Sequence, residues 1–180
     1  MEELKTIHDW HSYFIADFDS GKLTWKPRAR HHFHAERSWN AWNARFAGKA
    51  AGYAKLLGYR RVRLFGKMHL SHRVLWEMAH GAIPAGIQID HIDRNKDNNS
   101  ISNLRLATQS ENSRNVALQS SNTSGVKGVS WDKWRGLWRA RINHNSREIY
   151  LGYFPSKEEA AAAYAQASIE YHGAFAPSLA

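Results

Sequence analysis

The stretch Ile89–Asn115, IDHIDRNKDNNSISNLRLATQSENSRN, carries too many Asp and Asn side chains to build a packed core. Those residues instead make turns, helix caps and metal ligands. Three readings compete: a solvated loop, a calcium loop and a catalytic centre. Asp93-x-Asn95-x-Asp97 matches the first ligand positions of an EF-hand loop, but Asn98 stands at the glycine position and Leu104 at the bidentate glutamate position. Without that glutamate the calcium reading loses its closing ligand. The solvated loop fails to explain where the special residues fall. Asp90-His91 ends a short apolar strand expected at Ile87–Ile89, and Asn103 immediately precedes a strand expected near Leu104–Ala107. Thr108-Gln109-Ser110-Glu111 then fits a capping box, which places Asn112 on a well-fixed helix. Phosphodiester cleavage needs a base with a pKa near 7 and a divalent cation to offset charge on the phosphate. A neutral histidine suits the first task and hard oxygen donors suit the second.

Working upstream, Tyr13–Trp25 reads as a hairpin turning at Asp19-Ser20-Gly21-Lys22. GYRRVRLFGKMHLSHRV reads as a second hairpin turning at Gly66-Lys67. Ser71 is expected to cap a helix with Val74, Leu75 and Met78 on one face, stopping at Gly81. Residues 27–49, with His31, His32 and His34, form a basic, Trp-rich region expected to touch phosphate or solvent, with Trp39 and Trp42 going to the core. His69 and His72 flank Ser71 near the expected site, placed to touch phosphate or to be partly buried.

Downstream, ALQSSNTSG (117–125) is the main composition break and reads as a linker. The expected division is a first module at 1–118 with its motif core at 87–115, a linker at 119–122 and a second module at 123–180. In the second module, Val126–Val129, Leu137–Ile142 and Glu148–Phe154 read as strands, with turns at Trp134-Arg135-Gly136 and Asn143–Ser146. Trp138, Ala140 and Ile142 share one strand face, and Arg139 and Arg141 the other. Ser156-Lys157-Glu158-Glu159 reads as a second capping box opening an Ala-rich helix with Ala160, Ala163, Tyr164, Ala167 and Tyr171 on one side. A sheet whose helix covers only the Trp138 face leaves an arginine face open to DNA.

The 180 residues have a net charge of +9 and a pI of about 9.9, the usual electrostatic footprint of a nucleic-acid binder. Residues 124–147 carry six basic groups against Asp132 alone. Cysteine is absent, which excludes disulfides, thiolate catalysis and Cys-based zinc sites. MEELKTIHDWHSYF has no signal-peptide pattern and no run of 18 apolar residues occurs, so an intracellular, cytoplasmic protein without a membrane partner is expected.

The pattern Asp90-His91, Asn103-Leu104 and Glu111-Asn112 resembles the HNH endonuclease motif of the ββα-metal nucleases, in the phage and mobile-element variant. The resemblance covers about residues 58–115. It implies an α+β fold, a ββα-metal domain followed by a three-stranded antiparallel sheet on one helix. It further implies a homing- or phage-type DNA endonuclease using Mg2+, with Mn2+ or another divalent cation able to substitute. His91 would be the general base, Asp90 and Asn112 the metal ligands, and Asn103 the residue fixing the ββ turn and the imidazole. Gly128-Val129, Trp138-x-Ala140-x-Ile142, Leu151-Gly152-x-Phe154 and Glu159-Ala160-Ala161-x-Ala163-Tyr164 resemble the Apetala-type (ethylene-response-factor) DNA-binding domain over about 123–176. Lys127, Arg139, Arg141, Arg147 and Tyr150 are then the expected contacts to double-stranded DNA. Lys127 stands alone where the plant domain has an arginine-rich strand, and Tyr150 replaces a usual tryptophan, so the plant sequence preference does not carry over. The rival is a DNA-binding regulator that does not cut. An RNA-directed nuclease is a third option, but the aromatic signature of the common RNA-binding sheet is missing. Monomer and homodimer both remain open.

Overall fold

Gly21 (φ +64°) closes the first hairpin, where a left-handed residue is needed. The computed structural model describes residues 9–176 apart from 53, 57, 116, 117, 119 and 146. Residues 1–8 and 177–180, part of the expected linker and Ser146 of the expected last turn therefore lie outside the described residues. The chain divides into two compact units, Met1–Leu106 and Ala107–Ala180.

In the first unit β1 (Phe14–Asp17) and β2 (Lys22–Trp25) pair antiparallel, and β3 (Ala50–Ala51) adds to β2. α1 (Glu36–Phe46) lies between β2 and β3 in sequence and buries no residue fully, although Trp42 and Phe46 lean on the core. β4 (Ala54–Leu56), β5 (Tyr59–Leu64) and β6 (Lys67–Leu70) form a second antiparallel sheet. Its tight turn is Phe65-Gly66, one residue earlier than expected, because Leu64 pairs directly with Lys67. α2 (Ser71–His80) begins with Leu70 at the cap position and no side-chain cap. Ser71 is inside the helix, its hydroxyl buried without a partner, and does not cap it. Gly81 (φ +83°) ends α2 as expected. Phe14, Leu23, Val62, Leu64, Val74 and Leu75 make the core, joined by an indole-to-Glu77 hydrogen bond from Trp10 of 2.6 Å. β7 (Gln88–His91) and β8 (Leu104–Ala107) then pair into a two-stranded sheet.

The second unit contains α3 (Gln109–Arg114) and a sheet of β9 (Val129–Asp132), β10 (Leu137–His144) and β11 (Arg147–Phe154), in the order β11-β10-β9, followed by α4 (Lys157–His172). The first strand of this sheet starts three residues later than expected. Gly128 (φ +72°) lies against the Tyr164 ring and the Arg141 carbonyl, where no Cβ fits, and turns the chain before Val129. Val129, Ala140, Ile142, Ala160, Tyr164 and Ala167 form its core, so the Trp138–Ile142 face packs on α4 as expected. The alanines of α4 let helix and sheet approach closely. Only half of the second capping box forms: Ser156 Oγ accepts from the Glu159 amide at 3.1 Å, without the return bond.

Candidate active site and DNA-binding face

β7 (QIDH) buries Ile89, Asp90 and His91 in succession after the half-buried Gln88. Asp90 and His91 are 5% and 4% exposed. The loop from Ile92 to Ser102 contains no large apolar anchor except Ile101 and is held by amides instead. Asn103 takes the central position. Its Oδ1 accepts from the Asp93 amide at 3.0 Å, and its Nδ2 donates to Asp93 Oδ1 and to the Asn98 carbonyl, each at 2.8 Å. The Ile92 amide donates to the Asn103 carbonyl at 2.9 Å. Burial pulls the Asp93 carboxyl upward, yet the hydrogen bonds from Asn98 and Asn103 outweigh it and leave the carboxyl below its ordinary value. Asp97 pairs with Arg60 at 2.6 Å. The acidic residues that resembled a calcium loop are thus engaged in holding the turn.

The imidazole of His91 is gripped by a residue that sequence reasoning missed. Asn99, 1% exposed, presents Oδ1 to His91 Nε2 at 2.9 Å. An amide oxygen only accepts, so Nε2 carries the proton and Nδ1 keeps the basic lone pair. Asn103 ties the loop, and Asn99 orients the ring. The first hairpin supports this arrangement from behind. A Cβ on Gly21 would overlap the backbone of Asn99 and Ser100, and Ile101 donates to the Phe18 carbonyl at 2.9 Å.

Two further residues complete the site. Arg105 on β8 directs Nε and Nη2 to Asp90 Oδ2, each at 2.8 Å, with side chains 17% and 6% exposed. A cation therefore already faces this buried carboxylate. His72 stands edge-on to His91, with ring centroids 5.0 Å apart, and Tyr59 lies 5.3 Å from His72. Burial, then the neighbouring His91 and Arg73, pushes the His72 imidazole down to about 3, so it is neutral. Neutral and packed edge-on against His91, it offers a phosphate no charge, so the buried reading holds for this residue. Asn112 is half-buried on α3 in the second unit. Its helix has the full capping box: Thr108 Oγ1 accepts from the Glu111 amide at 3.3 Å, and Glu111 Oε2 accepts from the Thr108 amide at 2.7 Å.

The donor chemistry suits a hard divalent ion. Asp90 offers a buried carboxylate oxygen within the first unit. Among the described residues no cluster of three or more His, Cys, Asp or Glu side chains cages a metal. Mg2+ needs no such cage, since it keeps several waters and takes one or two carboxylates.

On the second unit's sheet, Arg139 pairs across from Tyr153 and Arg141 from Tyr150. Tyr150 is 55% exposed and Arg147 is exposed. The face is less open than expected, because Arg141 bonds Glu148 at 2.6 Å and Lys127 Nζ donates to the Arg114 carbonyl at 2.7 Å. Arg139 keeps Nε buried without a hydrogen-bond partner. Trp134, 88% exposed, sits at the expected β9–β10 turn. Among the described residues no helix is long and apolar enough to cross a membrane.

A model of the HNH endonuclease family matches residues 69–114, and one of the AP2 domain matches 124–174. "Protein 3.8" of Escherichia phage T7 is 44% identical over 89 residues, 49% of this chain and 74% of that protein. "Uncharacterized HNH endonuclease L560" of Acanthamoeba polyphaga mimivirus is 39% identical over 120 residues, 66% of this chain and 61% of that protein. A solved structure of DNA binding and cleavage by the HNH homing endonuclease I-HmuI is 22% identical, with a TM-score of 0.41, covering 92% of this chain and 88% of that one.

Proposed function

As the chain belongs to the HNH endonuclease family and carries an AP2 domain behind the HNH segment, we propose that it hydrolyses phosphodiester bonds of double-stranded DNA with a divalent cation, Mg2+ foremost. The observation that carries this reading is the buried His91 held by Asn99 with Nδ1 as its basic nitrogen, next in sequence to a buried Asp90. His91 Nδ1 takes a proton from water as the water oxygen forms its bond to phosphorus. The P–O3′ bond breaks, leaving a 5′-phosphate, and the departing 3′ oxygen takes a proton from solvent water to become the 3′-hydroxyl. Asp90 and Asn112 would hold the metal, which when bound neutralises charge on the phosphate and on the departing 3′ oxygen. Asn103 fixes the loop that follows Asp90 and His91 at the end of β7. Lys127, Arg139, Arg141, Arg147 and Tyr150 of the AP2 domain supply affinity for DNA. In this functional division the nuclease module is 1–118, the linker 119–122 and the DNA-binding module 123–180. The intact set Asp90, His91, Asn103 and Asn112 favours cutting over binding alone. Supercoiled plasmid tests this: nicking or linearisation with Mg2+ and none in EDTA is expected, and plasmid left intact under every divalent cation would overturn it.

A further inference from the structure

The first unit holds a cleft of about 470 Å3 whose lining shares no residue with the Asp90, His91 and Asn103 cluster; it is lined among others by Trp25, Arg28, Trp42, Phe46, Arg63 and Phe65. Its volume falls in the range of sites that bury a small flat ligand. Three observations set it apart from an ordinary gap between aromatic side chains. Arg28 lies over Trp42 at 4.3 Å and over Trp25 at 5.2 Å, with its Nε buried and without a partner. No described carboxylate pairs with Arg28 or with Arg63. Phe65 forms the β5–β6 turn with Gly66, at φ +49° and +75°, and is nonetheless 53% exposed. Such a turn favours Asn-Gly, whereas a phenylalanine at positive φ is strained. The Phe65 ring meets Tyr13 edge-on at 5.2 Å yet stays 53% exposed, and a strained, exposed aromatic beside a lined cleft points to a use beyond packing.

We propose that this cleft receives a DNA base turned out of its stack, held between Phe65 and the Trp25–Trp42 wall, with its phosphate on Arg28 and Arg63. The proposal rests on DNA being the substrate. An uncharged apolar ligand would leave both guanidinium groups uncompensated, whereas a nucleotide supplies a flat face and an anion together. Burial lowers the pKa of Arg28, the same desolvation that a phosphate would offset.

The test uses the full chain in EDTA with three duplexes: fully paired, with one unpaired adenine, and with an abasic residue in place of that adenine. The wild type should bind the adenine bulge about 5- to 140-fold more tightly than the abasic one, the span of base–aromatic stacking. Phe65→Asn should erase that preference while raising the thermal midpoint, because asparagine suits the turn, and Phe65→Tyr should keep it. A purely structural Phe65 would not couple higher stability to lost discrimination. Equal affinity of the wild type for the two bulges, with paired DNA still bound, overturns the cleft proposal alone, as does a Phe65→Asn variant that keeps full discrimination. Failure to bind any of the three at low salt overturns the DNA-binding reading itself.

Discussion

Replacing Arg105 by glutamine removes the cation facing Asp90 while keeping the length and polarity of the side chain. Both hydrogen bonds, each 2.8 Å to the same carboxylate oxygen, are lost or weakened, and the carboxylate stays 6% exposed. Breaking a buried pair from one side costs roughly 3–5 kcal/mol. Arg105 retains some solvent contact, so the expected loss is at the low end, about 3 kcal/mol. A chain of this size shifts by roughly 2–4 °C per kcal/mol, which gives a fall in Tm of about 6–12 °C in EDTA. A divalent cation bound at Asp90 supplies the missing charge. Adding Mg2+ should therefore raise the Tm of Arg105→Gln more than that of the wild type. Scanning calorimetry of both proteins in EDTA and in Mg2+ reads the two effects, and Asp90→Asn combined with Arg105→Gln should lose the Mg2+ response. A variant within about 1 °C of the wild type in EDTA, or an equal Mg2+ response in the two proteins, would refute the reasoning.

Three other outcomes follow from the same geometry. Gly21→Ala should displace the Asn99 backbone and cut the cleavage rate at least tenfold while leaving DNA affinity unchanged; an unaltered rate would show that the hairpin does not support the site. His72 has its folded pKa pushed down to about 3, below the unfolded value, so the unfolded chain binds the proton first. Its contribution is complete above about pH 6.5 and erodes as pH falls toward 3, by a few kcal/mol at most; urea midpoints of the wild type should fall across that window more steeply than those of His72→Leu. Arg139→Ala with Arg141→Ala should weaken binding to paired DNA and reduce its salt slope by about two, whereas an unchanged slope would mark the arginine face as merely solvated.

What the sequence disclosed was chiefly local. The Thr108–Glu111 box depends on residues three apart, and Trp138, Ala140 and Ile142 obey the two-residue period of a strand, so both could be read without the fold. Choosing Asn99 among several neighbouring asparagines needed the path of the loop. That path is set by Asn103 and by close contact with Gly21, a residue that reads in sequence only as a turn former. Arg105 gives a similar lesson. Period-two reading of LRLA marks it as one more exposed charge, and only the pairing of β7 with β8 brings it to Asp90. The Phe65 turn was misplaced by one residue because glycine at its second position suggested that the turn began there, and it is the pairing of Leu64 with Lys67 that sets the register.

The account stands most directly on His91. In a preparation where circular dichroism and DNA affinity match the wild type, His91→Ala should cut plasmid DNA about 10²- to 10⁴-fold more slowly in Mg2+, the usual contribution of a positioned general base. A His91→Ala protein that cuts at the wild-type rate in Mg2+ and is silenced by EDTA would contradict it.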